Sequence, residues 1–274
     1  MFHDPHLDRF VLPLCRSFPS DLQLTVDRIS THRTTNGTGR LQTHNYHGGL
    51  DQLRTNKLPA QKIPTFRETM ELLMRKENQH CYLNIDVKVD NEPELLFTLI
   101  KEIISSYDDW EALLAPRLVL GLWHPKYLEP AKRLLPQLAR AHIGMSPGLA
   151  RKFFWEDCQS FSMNFGCLVG GDGEKFRHEC KAAGKDFFVW TVNSRREMIK
   201  AAEWGAKVIL TDKTADFYEL RKEMEADWPA VSAETGKAFG WSSIWYTGVA
   251  NYVLGAWEQM ILEKAAGTFR ITAR

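Results

Sequence analysis

The feature that most constrains this fold is an alternation of strand-like and helix-like segments between residues 82 and 227. Short apolar, β-branched runs such as 82–87 alternate with longer segments whose apolar residues recur at helical spacing, such as 92–107. Further strands are expected at 117–123, 141–145, 159–163, 187–192 and 208–211. Strands joined by helical crossovers predict a parallel sheet, and therefore an α/β fold.

One of these strands ends in a pair of opposite charges. Asn84, Asp86 and Lys88 are spaced two residues apart, so they share one face of the strand, while the apolar residues between them face the other way. Catalytic residues of such folds stand at the carboxyl ends of strands. Taken alone, the pair is better explained as an ion pair at a strand end. Other polar and aromatic residues also stand at predicted strand ends: Trp123, His124, Ser162, Trp190, Asn193 and Asp212.

Composition excludes several classes of protein. The chain has 274 residues, enough for one large α/β domain, and 35 basic against 34 acidic side chains, so no strong field favours nucleic acid. Its five cysteines are irregularly spaced and form no C-x-x-C pair, which predicts neither a disulfide framework nor a zinc site. No signal peptide is visible in the sequence, and we expect an intracellular protein.

The carboxyl-terminal part of the chain has a different character. Residues 238–257 contain no charged side chain but carry six aromatic ones: Phe239, Trp241, Trp245, Tyr246, Tyr252 and Trp257. The segment is too polar for a spanning helix, and its tryptophans and tyrosines are typical of the headgroup zone of a membrane. Packing on the α/β domain is the other interpretation. We therefore divide the chain into an α/β domain, 1–227, and an aromatic-rich tail, 228–274.

Six short motifs resemble those of the glycerophosphodiester phosphodiesterase family, and they occur in the family's order. They are His3-Asp4-Pro5, the stretch TTNGTG at 34–39, IPT at 63–65, LNIDVK at 83–88, VWTVN at 189–193 and LTD at 210–212. The resemblance covers the first eight residues and nearly everything from 34 to about 220. The stretches at 121–125 and 160–163 resemble a fungal subgroup that cleaves phosphatidylglycerol as a phospholipase C does.

The resemblance implies a (β/α)8 barrel of the TIM type, a divalent metal (Mg²⁺ or Ca²⁺) held by carboxylates, and two histidines that exchange protons with a phosphodiester. His3 matches the second of those histidines, Asp86 a metal ligand and Lys88 a cation on the phosphate side. Trp190 is expected to line the pocket, and the strand-end position of His124 makes it a further pocket candidate. The expected partners are a phospholipid or glycerophosphodiester substrate and a membrane surface.

The chain also departs from the family pattern. Family members carry a His-Arg strand and a Glu-x-Asp strand before the His-Asp motif, whereas this sequence starts at that motif. We therefore expect a barrel lacking its first strand and most of its second, one catalytic histidine and two metal carboxylates, with impaired hydrolysis. A non-catalytic barrel remnant or a lipid-binding protein is the alternative. Residues 10–33 interrupt the motifs, as a retained intron or a genuine loop over the site.

Overall fold

A parallel sheet forms the centre of the molecule. The computed structural model describes residues 10–11, 32–35, 41–44, 59–61, 64–235 and 249–270. The strands are β1 (Phe10–Val11), β2 (His32–Thr35), β3 (Leu41–His44), β4 (Cys81–Val87), β5 (Leu118–Leu122), β6 (Ala139–Gly144), β7 (Ser160–Asn164), β8 (Asp186–Trp190) and β9 (Val208–Ile209). The main sheet has seven strands in the order β1-β4-β5-β6-β7-β8-β9, and β2 and β3 form a separate antiparallel pair.

Helices connect the strands and cover the sheet. They are α1 (Phe66–Met74), α2 (Pro93–Ile104), α3 (Trp110–Leu113), α4 (Leu128–Leu134), α5 (Pro147–Leu149, continued by the π-helical turn Ala150–Phe154), α6 (Phe165–Val169), α7 (Gly171–Ala182), α8 (Arg195–Glu203), α9 (Thr214–Ala226), α10 (Trp228–Ala233) and α11 (Val249–Ala266). Helix α1 begins at a capping box, for which Thr65 and Glu68 have the right identity and spacing: Thr65 Oγ1 accepts from the Glu68 amide, and Glu68 accepts from the Thr65 amide.

The two faces of β4 are as different as the sequence indicates. Leu83, Ile85 and Val87 are buried, while Asn84 is half-buried and Asp86 is exposed. Each strand from β4 to β9 pairs in parallel with the next, so their carboxyl ends meet at one end of the sheet. The predicted α/β class and parallel sheet are confirmed.

The buried side chain of Arg117 joins the amino-terminal end of β4 to neighbouring helix ends. The Arg117 guanidinium donates to the carbonyls of Leu113 (2.6 Å), Leu73 (3.0 Å), Asn78 (3.2 Å) and Cys81 (3.4 Å). These carbonyls belong to the ends of α3 and α1, the turn that follows α1, and the first residue of β4. Burial lowers the pKa of Arg117. One side chain thus satisfies carbonyls that would otherwise be buried without donors.

Four cysteines fill the core as free thiols: Cys81, Cys158, Cys167 and Cys180. Burial raises the pKa of Cys158 and of Cys180 to about 12, and raises that of Cys167 well above its usual value. These thiols remain protonated at neutral pH, so they act as small apolar side chains.

The segment 10–33, which interrupts the family motifs in the sequence, contains β1 and the first two residues of β2. Phe10 and Val11 pair in parallel with Cys81 and Tyr82. The remainder of 10–33 lies outside the described residues. The interpretation of this segment as a retained intron or a genuine loop stays a prediction, as does the division of the chain at residue 227.

Candidate active site

A carboxylate, an ammonium and an indole meet where β4 ends. Lys88 Nζ lies 2.8 Å from Asp86 Oδ2, and the indole Nε1 of Trp123 donates to Asp86 Oδ1 at 2.7 Å. Asp86 and Trp123 face each other because β4 and β5 are paired, with Asp86 opposite Gly121. Each oxygen of the Asp86 carboxylate therefore already has a donor.

Aromatic rings connect this pair to the other side of the site. Lys88 Nζ lies 5.3 Å from the centre of a Trp123 ring, and Trp123 contacts Trp190 edge to face with centroids 5.7 Å apart. Trp190 is held by its own indole N–H, which donates to the Ser162 carbonyl at 2.9 Å. The predicted pair of Asp86 and Lys88 thus forms one continuous group with Trp190 through Trp123.

The ion pair is open to solvent. The side chains of Lys88 and Asp86 are 29% and 44% exposed, so their attraction is worth no more than about 1 kcal/mol. An anion that binds Lys88 therefore has little to displace. A lysine ammonium beside an aromatic wall is suited to a phosphoryl oxygen with an organic group attached.

The side chain of Asn84 lies against a glycine on the neighbouring strand β5. Asn84 precedes Asp86 on the same face of β4, and its Oδ1 is buried without a hydrogen-bond partner among the described residues. A Cβ at Gly121 would lie 2.8 Å from this oxygen. Glycine at position 121 therefore leaves the room that the Asn84 amide occupies.

His124 is placed differently from the other predicted site residues. Its ring is buried, with Nε2 2.8 Å from the Gly267 carbonyl and Nδ1 accepting from the Lys126 amide at 3.1 Å. The ring also packs edge to face on Phe269, and burial lowers its pKa. In this arrangement His124 ties the carboxyl-terminal segment to the end of β5. Its role in substrate binding stays a prediction.

Two residues that the sequence analysis missed hold the loop after β4. The Tyr127 hydroxyl lies 2.8 Å from the carbonyls of both Lys88 and Asn91, and Lys126 Nζ donates to the Val89 carbonyl at 2.7 Å. Both lie within three residues of His124, and this closeness to a predicted strand end was the signal in the sequence that could have identified them. They fix the backbone that carries Lys88.

Helix α11 is fastened to the same end of the barrel by a buried carboxyl group. Glu258 is 3% exposed, and both of its oxygens lie 2.9 Å from the Met145 amide, just after β6. Burial raises the pKa of Glu258 to about 7. One turn earlier, a Cβ at Gly255 would lie 2.9 Å from Ser146 Oγ, so the helix approaches the barrel closely there.

The sequence model of the glycerophosphoryl diester phosphodiesterase family matches residues 1–216. The chain belongs to this family. A search of curated proteins finds no match.

Two solved phosphodiesterase structures are similar to this chain. A glycerophosphodiester phosphodiesterase from Parabacteroides distasonis ATCC 8503 is 18% identical, with a TM-score of 0.53 over 70% of this chain and 77% of its own. A phosphodiesterase from Oleispira antarctica, solved with the product sn-glycerol-3-phosphate, is 19% identical, with a TM-score of 0.47 over 59% of this chain and 62% of its own. The Parabacteroides structure confirms the barrel-type fold.

The described residues do not by themselves fit a divalent metal. Both Asp86 oxygens are engaged by Lys88 and Trp123, and the described part of the chain contains no group of three or more histidine, cysteine or acidic side chains that could hold an ion. Hard cations need several oxygen ligands at once. His3, the predicted catalytic histidine, lies outside the described residues, so its position relative to Asp86 stays a prediction.

The described part of the carboxyl-terminal segment packs on the barrel, and its association with a membrane stays a prediction. Residues 238–248 lie outside the described part, and α11 packs on the barrel through Glu258 and Leu262. Within the residues that the structure describes, no helix is long and apolar enough to cross a membrane.

Proposed function

We propose that this chain binds and hydrolyses phosphodiesters of glycerol at the Asp86–Lys88 end of the barrel. The substrates are glycerophosphodiesters or a glycerophospholipid resembling phosphatidylglycerol. The observation that carries the proposal is the group formed by Lys88, Asp86, Trp123 and Trp190, which joins a solvent-accessible cation to an aromatic wall. Membership of the glycerophosphoryl diester phosphodiesterase family supports the choice of reaction.

In this proposal Lys88 neutralises charge on a non-bridging phosphoryl oxygen, and the Trp123–Trp190 pair contacts the group esterified to the phosphate. Water cleaves a P–O bond. A glycerophosphodiester then yields glycerol phosphate and an alcohol, and a phospholipid cleaved as by a phospholipase C yields diacylglycerol and a phosphorylated headgroup. Mg²⁺ or Ca²⁺ is the cofactor that the family implies. Because Asp86 is the one candidate ligand at this described strand end, we expect low turnover.

A second candidate function is lipid binding without hydrolysis. The observation that favours it is the engagement of both Asp86 oxygens by Lys88 and Trp123. A site in this state still offers Lys88 to a phosphate group.

Both candidates are tested with the full chain and three substrates: glycerophosphoglycerol, glycerophosphocholine and phosphatidylglycerol in vesicles. Each is assayed with Mg²⁺, with Ca²⁺ and with a chelator. We expect weak, metal-dependent release of phosphate esters, reduced about 100-fold in kcat/KM by Lys88→Met. Lys101→Met removes an exposed lysine from α2 and is the matched control.

The outcomes separate the two candidates. Saturable binding of glycerophosphoglycerol that is lost in Lys88→Met, without release of product, would assign the chain to the lipid-binding class. Neither binding nor hydrolysis of any of the three compounds would refute both.

A further inference from the structure

Helix α11 has two apolar faces, and the barrel covers one of them. Gly255, Glu258 and Leu262 are buried at spacings of three and four residues. On the opposite side of the helix, four large side chains form a stripe that we call the outer face: Val253 (55% exposed), Trp257 (50%), Met260 (59%) and Ile261 (41%). These are four of the seven large hydrophobic residues exposed in the described part of the chain. A water-facing helix surface is normally polar.

Cationic side chains lie at the carboxyl-terminal end of the outer face. Lys264 follows Met260 by four residues and Ile261 by three, so it lies on the same side of the helix, and it is exposed. Arg270 is exposed a few residues further on. The nearby Glu263 carboxylate is engaged within the segment, where it accepts from the Gln259 side chain and the Phe269 amide. An apolar stripe with a tryptophan and a cationic end is complementary to an anionic lipid surface.

The sequence just before this helix has the same character. Residues 238–257 carry no charge and six aromatic side chains, and the last nine of these residues, 249–257, belong to α11. Anionic headgroups would neutralise Lys264 and Arg270, whereas the outer face of a second copy contains no acidic side chain that could pair with them. These two observations favour lipid over self-association.

The helix lies at the catalytic end of the barrel. Glu258 is bonded to Met145 just after β6, and Gly267 to His124 just after β5. Lys126, two residues after His124, in turn holds Val89 in the loop that follows Lys88. A continuous set of contacts therefore leads from α11 to the Asp86–Lys88 group along the ends of adjacent strands.

We propose that the outer face of α11 docks the protein on the surface of a bilayer that contains anionic phospholipid. The helix lies in the headgroup zone, with Trp257, Met260 and Ile261 inserted and Lys264 against the phosphates. Docking brings the Asp86–Lys88 end of the barrel to the headgroups, and this benefit rests on the proposed function. The docking itself does not.

The test is flotation of the full chain with vesicles of phosphatidylcholine, with and without phosphatidylglycerol. Met260→Ser combined with Ile261→Ser removes half of the outer face. Leu95→Ser combined with Leu113→Ser removes two side chains of similar exposure (45% and 39%) from other helices and is the matched control. We expect the first double variant to lose at least about tenfold in partitioning to phosphatidylglycerol vesicles and the control to lose less than about twofold. Unchanged thermal unfolding shows that both variants fold.

Hydrolysis or binding of water-soluble glycerophosphoglycerol is measured in parallel, and docking variants should leave it unchanged. A wild-type protein that floats with the vesicles but neither binds nor hydrolyses glycerophosphoglycerol would count against the proposed function and leave the docking proposal intact. Equal partitioning of the two double variants, or no flotation of the wild type, would overturn the docking proposal. Dimerisation that Met260→Ser and Ile261→Ser abolish, without vesicle binding, would assign the outer face to a second copy and overturn it too.

Discussion

We expect Glu258 to make the attachment of α11 weaken as the pH rises. Its carboxyl group is buried, and its pKa of about 7 lies well above the ordinary value of 4.5. The folded protein therefore binds this proton more tightly than the unfolded chain does. Between about pH 4.5 and pH 7 the folded state holds more protons, so the free energy of unfolding falls with rising pH. Below about pH 4.5 the group is protonated in both states and its contribution is constant.

The magnitude follows from the difference in pKa. A rise from 4.5 to about 7, at about 1.4 kcal/mol per unit, corresponds to about 3 kcal/mol. Burial lowers the pKa of the neighbouring His142 to about 3 and raises that of Cys167 well above its usual value, so both are neutral in the folded protein from about pH 5 to about pH 8. His142 still binds a proton in the unfolded chain below about pH 6.5, which adds a pH dependence of opposite sign to the wild-type stability. This contribution is the same in a Glu258 variant, so it cancels when the two proteins are compared.

The perturbation is Glu258→Gln, which removes the titration and keeps an oxygen for the Met145 amide. Urea unfolding of both proteins at several pH values gives the difference in free energy, and hydrogen exchange of the α11 amides shows where it acts. We expect nearly equal stability at about pH 5 and a variant up to about 3 kcal/mol more stable at about pH 8. A difference between the two proteins that does not change with pH would refute the reasoning.

Three further substitutions have expected outcomes. Arg117→Leu leaves buried carbonyls without their donor and should cost about 3 kcal/mol in urea unfolding; a loss below about 1 kcal/mol would contradict this role. Gly173→Ala places a Cβ 2.4 Å from the Leu168 carbonyl carbon, where α7 packs on α6, and should lower stability by about 2 kcal/mol in the same assay, whereas Gly171→Ala, where a Cβ meets nothing within 4 Å, is the control. Trp123→Phe keeps an aromatic ring but removes the donor to Asp86, so kcat/KM for glycerophosphoglycerol should fall about tenfold while the thermal unfolding temperature stays the same. Unchanged kinetics would exclude a role for this hydrogen bond.

The parts of the fold that the sequence predicted well are those whose signals agree. In β4 apolar residues alternate with polar ones, and Leu83, Ile85 and Val87 are buried as expected. At the start of α1, Thr65 and Glu68 have both the identity and the spacing of a capping box, and the box forms. Local chemistry decided these features, so the sequence was sufficient.

Other features depend on contacts between distant residues. The two residues of β1 carry no strand signal of their own; they pair only because Cys81 and Tyr82 offer an edge. His124 stands at a strand end as predicted, but the turn that begins at Pro125 directs its ring to Gly267, more than a hundred residues away. Glu258 follows the charge-free segment directly, and a lone acid there gives no sign that it bonds to Met145.

The burial of the cysteines has a practical consequence. A thiol reagent added to the native protein at neutral pH should leave four cysteines unmodified, because they are both buried and protonated: Cys81, Cys158, Cys167 and Cys180. With Cys15→Ser in place, a Met260→Cys variant would then accept a single environment-sensitive fluorophore on the outer face of α11. The dye's emission would report whether that surface enters lipid, in a protein whose interior the labelling chemistry does not reach.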